Sequence, residues 1–132
     1  MKARRNISSG SPFEPRFGFS RAVKVGNMVF VSGSTAIQPD GNVAGVGDPY
    51  VQAVETFKTI KNALQQAGAR LEDVVRTRIF LTNINHFEPV QRVHAELFGS
   101  IRPASTVVEV ARLVKPEMLV EIEADAIIAD GE

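Results

Sequence analysis

The order of regular elements predicts a two-layer α+β domain in which two helices cover one face of a mixed sheet. Two segments have apolar residues at helical spacing, and five shorter segments alternate as strands do. In chain order they give β-β-α-β-α-β-β. At 132 residues the chain is expected to form a single domain over residues 1–132.

The N-terminal part is predicted to hold an irregular arm followed by a β-hairpin. Residues 1–20 are rich in Ser, Pro, Gly and Arg and show no periodicity. Apolar runs at residues 22–25 and 28–31 then flank Gly26-Asn27. A two-residue Gly-Asn connection is typical of a hairpin because such turns need positive φ.

Capping residues and apolar stripes predict the two helices. Asp48 suits a helix cap, Pro49 suits the first helical position, and an apolar stripe then runs to Ala67. Asn85 with Glu88 forms a capping-box pattern for the second helix. We expect its buried stripe to include a packed, hydrogen-bonded histidine, the full set being Phe87, Val90, His94 and Leu97.

The sheet face opposite the helices combines apolar side chains with charges of both signs. The strand at 74–82 is expected to bring Arg76 and Arg78 to this face, and the last strand adds Glu121 and Glu123. A face of this kind is either solvated, as in many antiparallel sheets, or a self-association surface where these charges pair. Large apolar residues on it favour self-association, namely Phe80, Val108 and Val110.

Composition excludes several classes of function. Fifteen Lys and Arg balance fifteen Asp and Glu, which predicts no nucleic-acid or membrane partner. The chain has no cysteine and only two histidines, which excludes cysteine metal sites and a histidine-rich metal centre. No apolar run reaches the roughly 20 residues of a membrane helix, and the basic start lacks the apolar core of a signal peptide. A cytoplasmic location is therefore expected.

Four segments resemble the YjgF/RidA (reactive intermediate deaminase) family. The resemblance begins near Phe17 and extends to the C-terminus. Any one segment alone is a weak signal, but together they are specific. They are FSRAV at residues 19–23, GNMVFVSG at 26–33, RPASTVVEVA at 102–111 and LVEIEA at 119–124.

The resemblance implies a chorismate-mutase-like fold and a homotrimer whose sheets pack around the threefold axis. Small-molecule clefts then lie between neighbouring subunits. Family deaminases are hydrolases of enamine and imine intermediates, and an arginine binds the substrate carboxylate. A glutamate and a backbone carbonyl hold the attacking water, and no cofactor or metal is required. Positioning supplies most of the help, because a protonated imine is already electrophilic.

Carried onto this chain, the resemblance assigns Glu121 to position the water. The family arginine falls at Ser105, and a hydroxyl cannot form the bidentate pair that a guanidinium makes with a carboxylate. Phe19 replaces the usual tyrosine and Val107 the small or thiol residue, whereas Gln91 matches a polar helix position. The remaining ligand-binding candidates are Val31, Ser32, Gly33, Arg102 and Thr106.

Two alternatives follow from the replacement at Ser105. Arg102, three residues earlier and roughly 10 Å away along an extended chain, is either a substitute cation or a surface arginine. The protein is either a hydrolase of imines that lack a carboxylate or a module that binds a small metabolite without turnover. A ribonuclease or translation inhibitor is disfavoured by the balanced charge and the lack of a basic, aromatic-lined groove.

Overall fold

The computed structural model describes residues 3–129 and confirms the mixed α+β class. In chain order the elements are β1 (Arg4–Ile7), α1 (Phe13–Phe17), β2 (Ala22–Val25), β3 (Met28–Ser34), α2 (Pro49–Gln66), β4 (Val74–Leu81), α3 (Phe87–Phe98), β5 (Ala104–Glu109) and β6 (Val120–Ile127). The strands form one sheet in the order β1-β2-β3-β6-β4-β5. β4 and β5 are parallel, and every other neighbouring pair is antiparallel.

The prediction of an irregular arm over residues 1–20 is wrong at Arg4–Ile7 and Phe13–Phe17, which form regular elements. β1 pairs antiparallel with β2, from Arg4 opposite Val25 to Ile7 opposite Ala22, and α1 follows. Only Ile7 of β1 is buried, so the strand carries no alternating apolar pattern to detect. Backbone pairing defines it instead. Residues 1 and 2 of the predicted arm lie outside the described residues.

The two long helices begin and end at local signals. The Asp48 side chain accepts a hydrogen bond from the Val51 amide at 3.1 Å, and the chain leaves α2 through Gly68 at φ 81°. The capping box expected at Asn85 is not formed. The Asn83 side chain instead accepts from the Asn85 amide, and a 3₁₀ turn at Ile84–His86 leads into α3. No helix within residues 3–129 is long and apolar enough to cross a membrane.

Both helices lie on one face of the sheet, over inward side chains of β3, β4 and β6. The register of β4 against β6 shifts between Val74 and Arg76. Val74 therefore points into the core, whereas strict alternation predicts it on the sheet face opposite the helices. The core-facing set is Val29, Val31, Thr77, Ile79, Leu81, Val120, Ile122, Ala124 and Ala126.

The opposite face, called here the bare face, carries charges that pair within the chain. Arg78 Nη1 lies 3.4 Å from Glu123 and 3.3 Å from Asp125. β5 ends at Glu109, so the predicted contribution of Val110 to this strand is wrong. Partly exposed apolar side chains nevertheless remain on or beside the face: Met28, Phe30, Val108 and Ile127.

Candidate functional site

Glu121 lies on the bare face against the backbone of Gly33. The pairing of β3 with β6 shifts between Val31 and Ser34, and this irregularity places Gly33 beside the carboxylate. A Cβ atom added to Gly33 would overlap Glu121 Oε2. Burial raises the pKa of Glu121, the nearby Glu123 raises it further, and Arg21 opposes both. A carboxylate with a raised pKa is suited to proton transfer.

Replacing Gly33 by alanine is expected to displace the Glu121 side chain. The added methyl overlaps a carboxylate oxygen at the end of a flexible side chain, so Glu121 rotates away from the strand. Its raised pKa should then fall toward the ordinary value, with a stability change within about 1 kcal/mol. Titration of the carboxyl ¹³C signal by NMR measures the shift. An unchanged pKa would show that Gly33 does not fix this position.

Arg21 holds the irregular end of β3 around Gly33. Its Nη1 donates to the Gly33 carbonyl at 2.8 Å and to Ser34 Oγ at 3.0 Å. The guanidinium lies 5.2 Å from the ring centroid of Phe19, and Nε lies 3.6 Å from the buried Glu14 carboxylate. This arginine was not among the predicted site residues, although it occupies one of the family-like segments.

Two other predicted residues of this region, Ser32 and Val31, respectively hydrogen-bond to backbone groups and face the core. Ser32 Oγ donates to the Ser20 carbonyl at 2.6 Å, and the Ser32 amide donates to the Arg21 carbonyl at 2.9 Å. The side chain of Val31 belongs to the core, so only its backbone is available to a ligand. We call Phe19, Ser32, Gly33 and Glu121 the carboxylate surface.

A second group of predicted residues lines an open cavity between α3 and the β4–β5 edge. The parallel register sets Ser105 beside Thr77 and Val107 beside Ile79, on the face covered by α3. The cavity has a volume of about 240 Å³. We call it the hydroxyl cavity, and its lining residues are Ile79, Phe87, Val90, Gln91, His94, Ser105 and Val107.

A chain of three side chains forms the polar part of this cavity. Thr77 Oγ1 lies 2.8 Å from Ser105 Oγ and 2.9 Å from His94 Nε2. The imidazole packs on Phe98 and Phe57, with centroid distances of 4.8 and 6.0 Å. Burial lowers the pKa of His94, so the ring is mainly neutral at pH 7. His94 is therefore packed and hydrogen-bonded, as predicted, and its partner Thr77 was missed.

Arg102 and Thr106 lie outside the hydroxyl cavity. Arg102 adopts φ 57°, its amide donates to the Phe98 carbonyl at 2.8 Å, and its Nε donates to the Gly99 carbonyl at 3.2 Å. This arginine therefore closes the turn that follows α3. Thr106 is the next residue after Ser105 and pairs with Arg78, on the bare face.

The predicted site residues thus form two groups on opposite faces of one sheet. Ser105 shares a face with the buried Thr77, whereas Glu121 lies opposite Phe80 on the bare face. A strand projects successive side chains to opposite faces, so one chain cannot close both groups around one ligand.

These features define a small mixed α+β protein with a carboxylate surface and a hydroxyl cavity on the two faces of its sheet. A family model described as Endoribonuclease L-PSP matches residues 10–128. The chain belongs to this family, which is the YjgF/RidA family.

Curated relatives match over nearly the full chain. An uncharacterized protein of Streptomyces coelicolor, SCO2049, is 41% identical over 125 residues, covering 95% of this chain and 92% of that protein. The 3-aminoacrylate deaminase RutC of Acinetobacter baylyi is 37% identical over 120 residues, covering 91% and 94%.

Solved structures share the fold. The crystal structure of Rv2704 from Mycobacterium tuberculosis, a member of the YjgF/YER057c/UK114 family, has a TM-score of 0.88 and 47% identity, covering 96% of this chain and 100% of that one. The YjgF gene product of Escherichia coli has a TM-score of 0.81 and 30% identity, with coverages of 93% and 98%.

Proposed function

We propose that the protein is a homotrimeric hydrolase of small imines or enamines that carry no carboxylate beside the reacting carbon. The observation that carries this proposal is the chain from His94 through Thr77 to Ser105, a set of neutral groups at the position of the family's arginine. The relationship to a 3-aminoacrylate deaminase supports the reaction class. The charge-free lining of the cavity supports the altered substrate.

The trimer is supported by surfaces that a single chain leaves open. β5 is the last strand of the sheet, and five of its six residues are exposed. Phe30 and Val108 are 43% and 40% exposed on the bare face, where a second copy would cover them. Contact between β5 of one subunit and the bare face of its neighbour would bring the hydroxyl cavity to the carboxylate surface.

The proposed reaction needs one base and one hydrogen-bond donor. An enamine first gains a proton on carbon and loses one from nitrogen, which converts it to the imine. Glu121 of one subunit takes a proton from water as the water oxygen bonds to the imine carbon, while Ser105 of the next subunit donates a hydrogen bond to the nitrogen. The nitrogen then takes the proton held by Glu121, which gives a neutral carbinolamine and returns Glu121 to its carboxylate form. The carbinolamine then loses ammonia and leaves a carbonyl compound, so the net reaction is imine plus water to carbonyl plus ammonia.

Ammonia release tests the proposal with two imines generated in place. A flavin amine oxidase acting on butylamine supplies butan-1-imine, and a flavin oxidase acting on D-alanine supplies 2-iminopropanoate. We expect this protein to accelerate ammonia release from butan-1-imine above the spontaneous rate and to affect 2-iminopropanoate little. The opposite preference would contradict the proposal.

A second candidate function is a metabolite-binding module without turnover. It is favoured by the hydroxyl cavity, whose lining residues include no Asp, Glu, Lys or Arg. Binding of a small neutral ligand with no ammonia release from either imine would support this alternative.

Replacing Phe30 by aspartate is expected to convert the trimer to monomers. Burying a carboxylate where a phenyl ring packed costs more than about 2 kcal/mol per subunit. Size-exclusion chromatography with light scattering should show a drop from three chain masses to one. Lys61→Glu on the exposed face of α2 is the matched control and should remain trimeric. A monomeric wild-type protein would contradict the proposed assembly.

A further inference from the structure

We infer that Thr77 and His94 orient the Ser105 hydroxyl so that its hydrogen points into the hydroxyl cavity, which makes the cavity a site for a neutral sp² acceptor such as an unprotonated imine nitrogen. The inference deepens the proposed function by assigning positioning residues and a ligand class. It rests on that function for the substrate, but its binding test does not require turnover.

Thr77 has a single hydroxyl hydrogen and two partners. If Thr77 donates to Ser105, it must accept from an N–H at His94 Nε2. If it donates to His94 instead, Ser105 must donate to Thr77 and has no hydrogen left for a ligand. Thr77 is fully buried, so no water replaces either partner. The direction of the whole chain is therefore set by the hydrogen on His94 Nε2.

The first direction agrees with two of the three forms of His94. Thr77 Oγ1 and Ser105 Oγ lie 2.8 Å apart, a distance at which either hydroxyl can donate, so the state of His94 Nε2 decides which one does. The neutral ring with hydrogen on Nε2 and the protonated ring both donate from Nε2, and only the Nδ1–H tautomer reverses the chain. Among residues 3–129, Thr77 is the residue whose side chain hydrogen-bonds to the His94 ring, at Nε2.

The surroundings select a neutral ligand. Phe57 from α2 and Phe98 from α3 pack on the His94 ring, and burial lowers the pKa of His94. None of the described residues that line the cavity is charged, so none can pair with an ionised ligand. Hydrogen bonds in a chain polarise one another. The Ser105 hydrogen would therefore draw electron density toward an imine nitrogen, which makes the imine carbon more electrophilic toward water.

Binding of 2-methyl-1-pyrroline tests this orientation. The compound is a small cyclic imine whose nitrogen stays tethered in its ring, so it cannot release ammonia. Its affinity for the full-length protein is measured by NMR titration at a pH where the imine is unprotonated. Thr77→Val and His94→Phe should each weaken binding about threefold to tenfold, the effect of one neutral hydrogen bond. Thr77→Ser keeps the hydroxyl and should bind like the wild type.

The ¹⁵N shifts of the His94 ring provide a second measurement that needs no variant. We expect the hydrogen on Nε2 in the wild-type protein. A hydrogen on Nδ1, wild-type affinity in Thr77→Val or no binding of the pyrroline would each overturn the inference. If Thr77→Val does not fold, His94→Phe and the ¹⁵N shifts still decide.

The outcomes separate this inference from the proposed hydrolysis. Pyrroline binding that depends on Thr77, with no ammonia release from butan-1-imine, would keep the inference and remove the hydrolase. Ammonia release that is unchanged in Thr77→Val would keep the hydrolase and overturn the inference.

Discussion

Replacing Ser105 by arginine is expected to raise ammonia release from 2-iminopropanoate by about 10- to 100-fold. A guanidinium can form two parallel charge-assisted hydrogen bonds with the substrate carboxylate, a contribution of about 1.5–3 kcal/mol. Ser105 lines the open hydroxyl cavity, which leaves room for a longer side chain. The ammonia assay measures the change directly. The same variant should lose affinity for neutral imines, since the directed hydroxyl is gone.

Thr106→Arg is the matched control for this gain. It adds the same charge one residue later, but on the bare face beside Arg78, so no new activity toward 2-iminopropanoate is expected. A wild-type protein that already processes 2-iminopropanoate rapidly would overturn the interpretation of Ser105. A Ser105→Arg variant that folds but shows no gain in ammonia release from 2-iminopropanoate would overturn that interpretation as well.

Much of the fold is predictable because local patterns determine it. The cap at Asp48, the apolar stripe of α2 and the alternation in β6 need only neighbouring residues, and each is formed as predicted. The strand β1 has one buried side chain and depends on β2 for its pairing. The inward turn of Val74 depends on a register shift against β6. Both are nonlocal features that periodicity cannot predict.

The arrangement of the site is less predictable than its residues. The family-like segments predicted Ser105 and Glu121 as site candidates, but their opposite faces follow from the registers of β5 and β6 against β4. Thr77 and His94 each resemble an isolated polar residue in an apolar pattern. Thr77 lies 17 residues before His94 and 28 residues before Ser105, so these three side chains meet only in the folded chain. A threonine on the inward face of β4 was the available signal.

Replacing Glu121 by glutamine is expected to lower the ammonia-release rate about 10²- to 10⁴-fold, the usual contribution of a general base. Glutamine keeps the shape beside Gly33 but cannot take a proton from water. In the wild type the base must be ionised, so the rate should rise as pH increases through the pKa of Glu121, which burial and Glu123 raise. The pH–rate profile of Glu121→Gln should lack this rising limb. Full activity in the variant would contradict the role.

Glu123→Gln separates this catalytic effect from a general effect of charge on the bare face. Glu123 pairs with Arg78 and lies on the same strand and face as Glu121. Removing its negative charge relieves the repulsion that raises the pKa of Glu121, so the rising limb should move to lower pH while the maximal rate is retained. A base acts through its own proton, whereas a neighbouring charge only shifts the pH at which that proton leaves. Loss of the maximal rate in both variants would therefore indicate that the acidic side chains of the bare face support the assembly rather than the reaction.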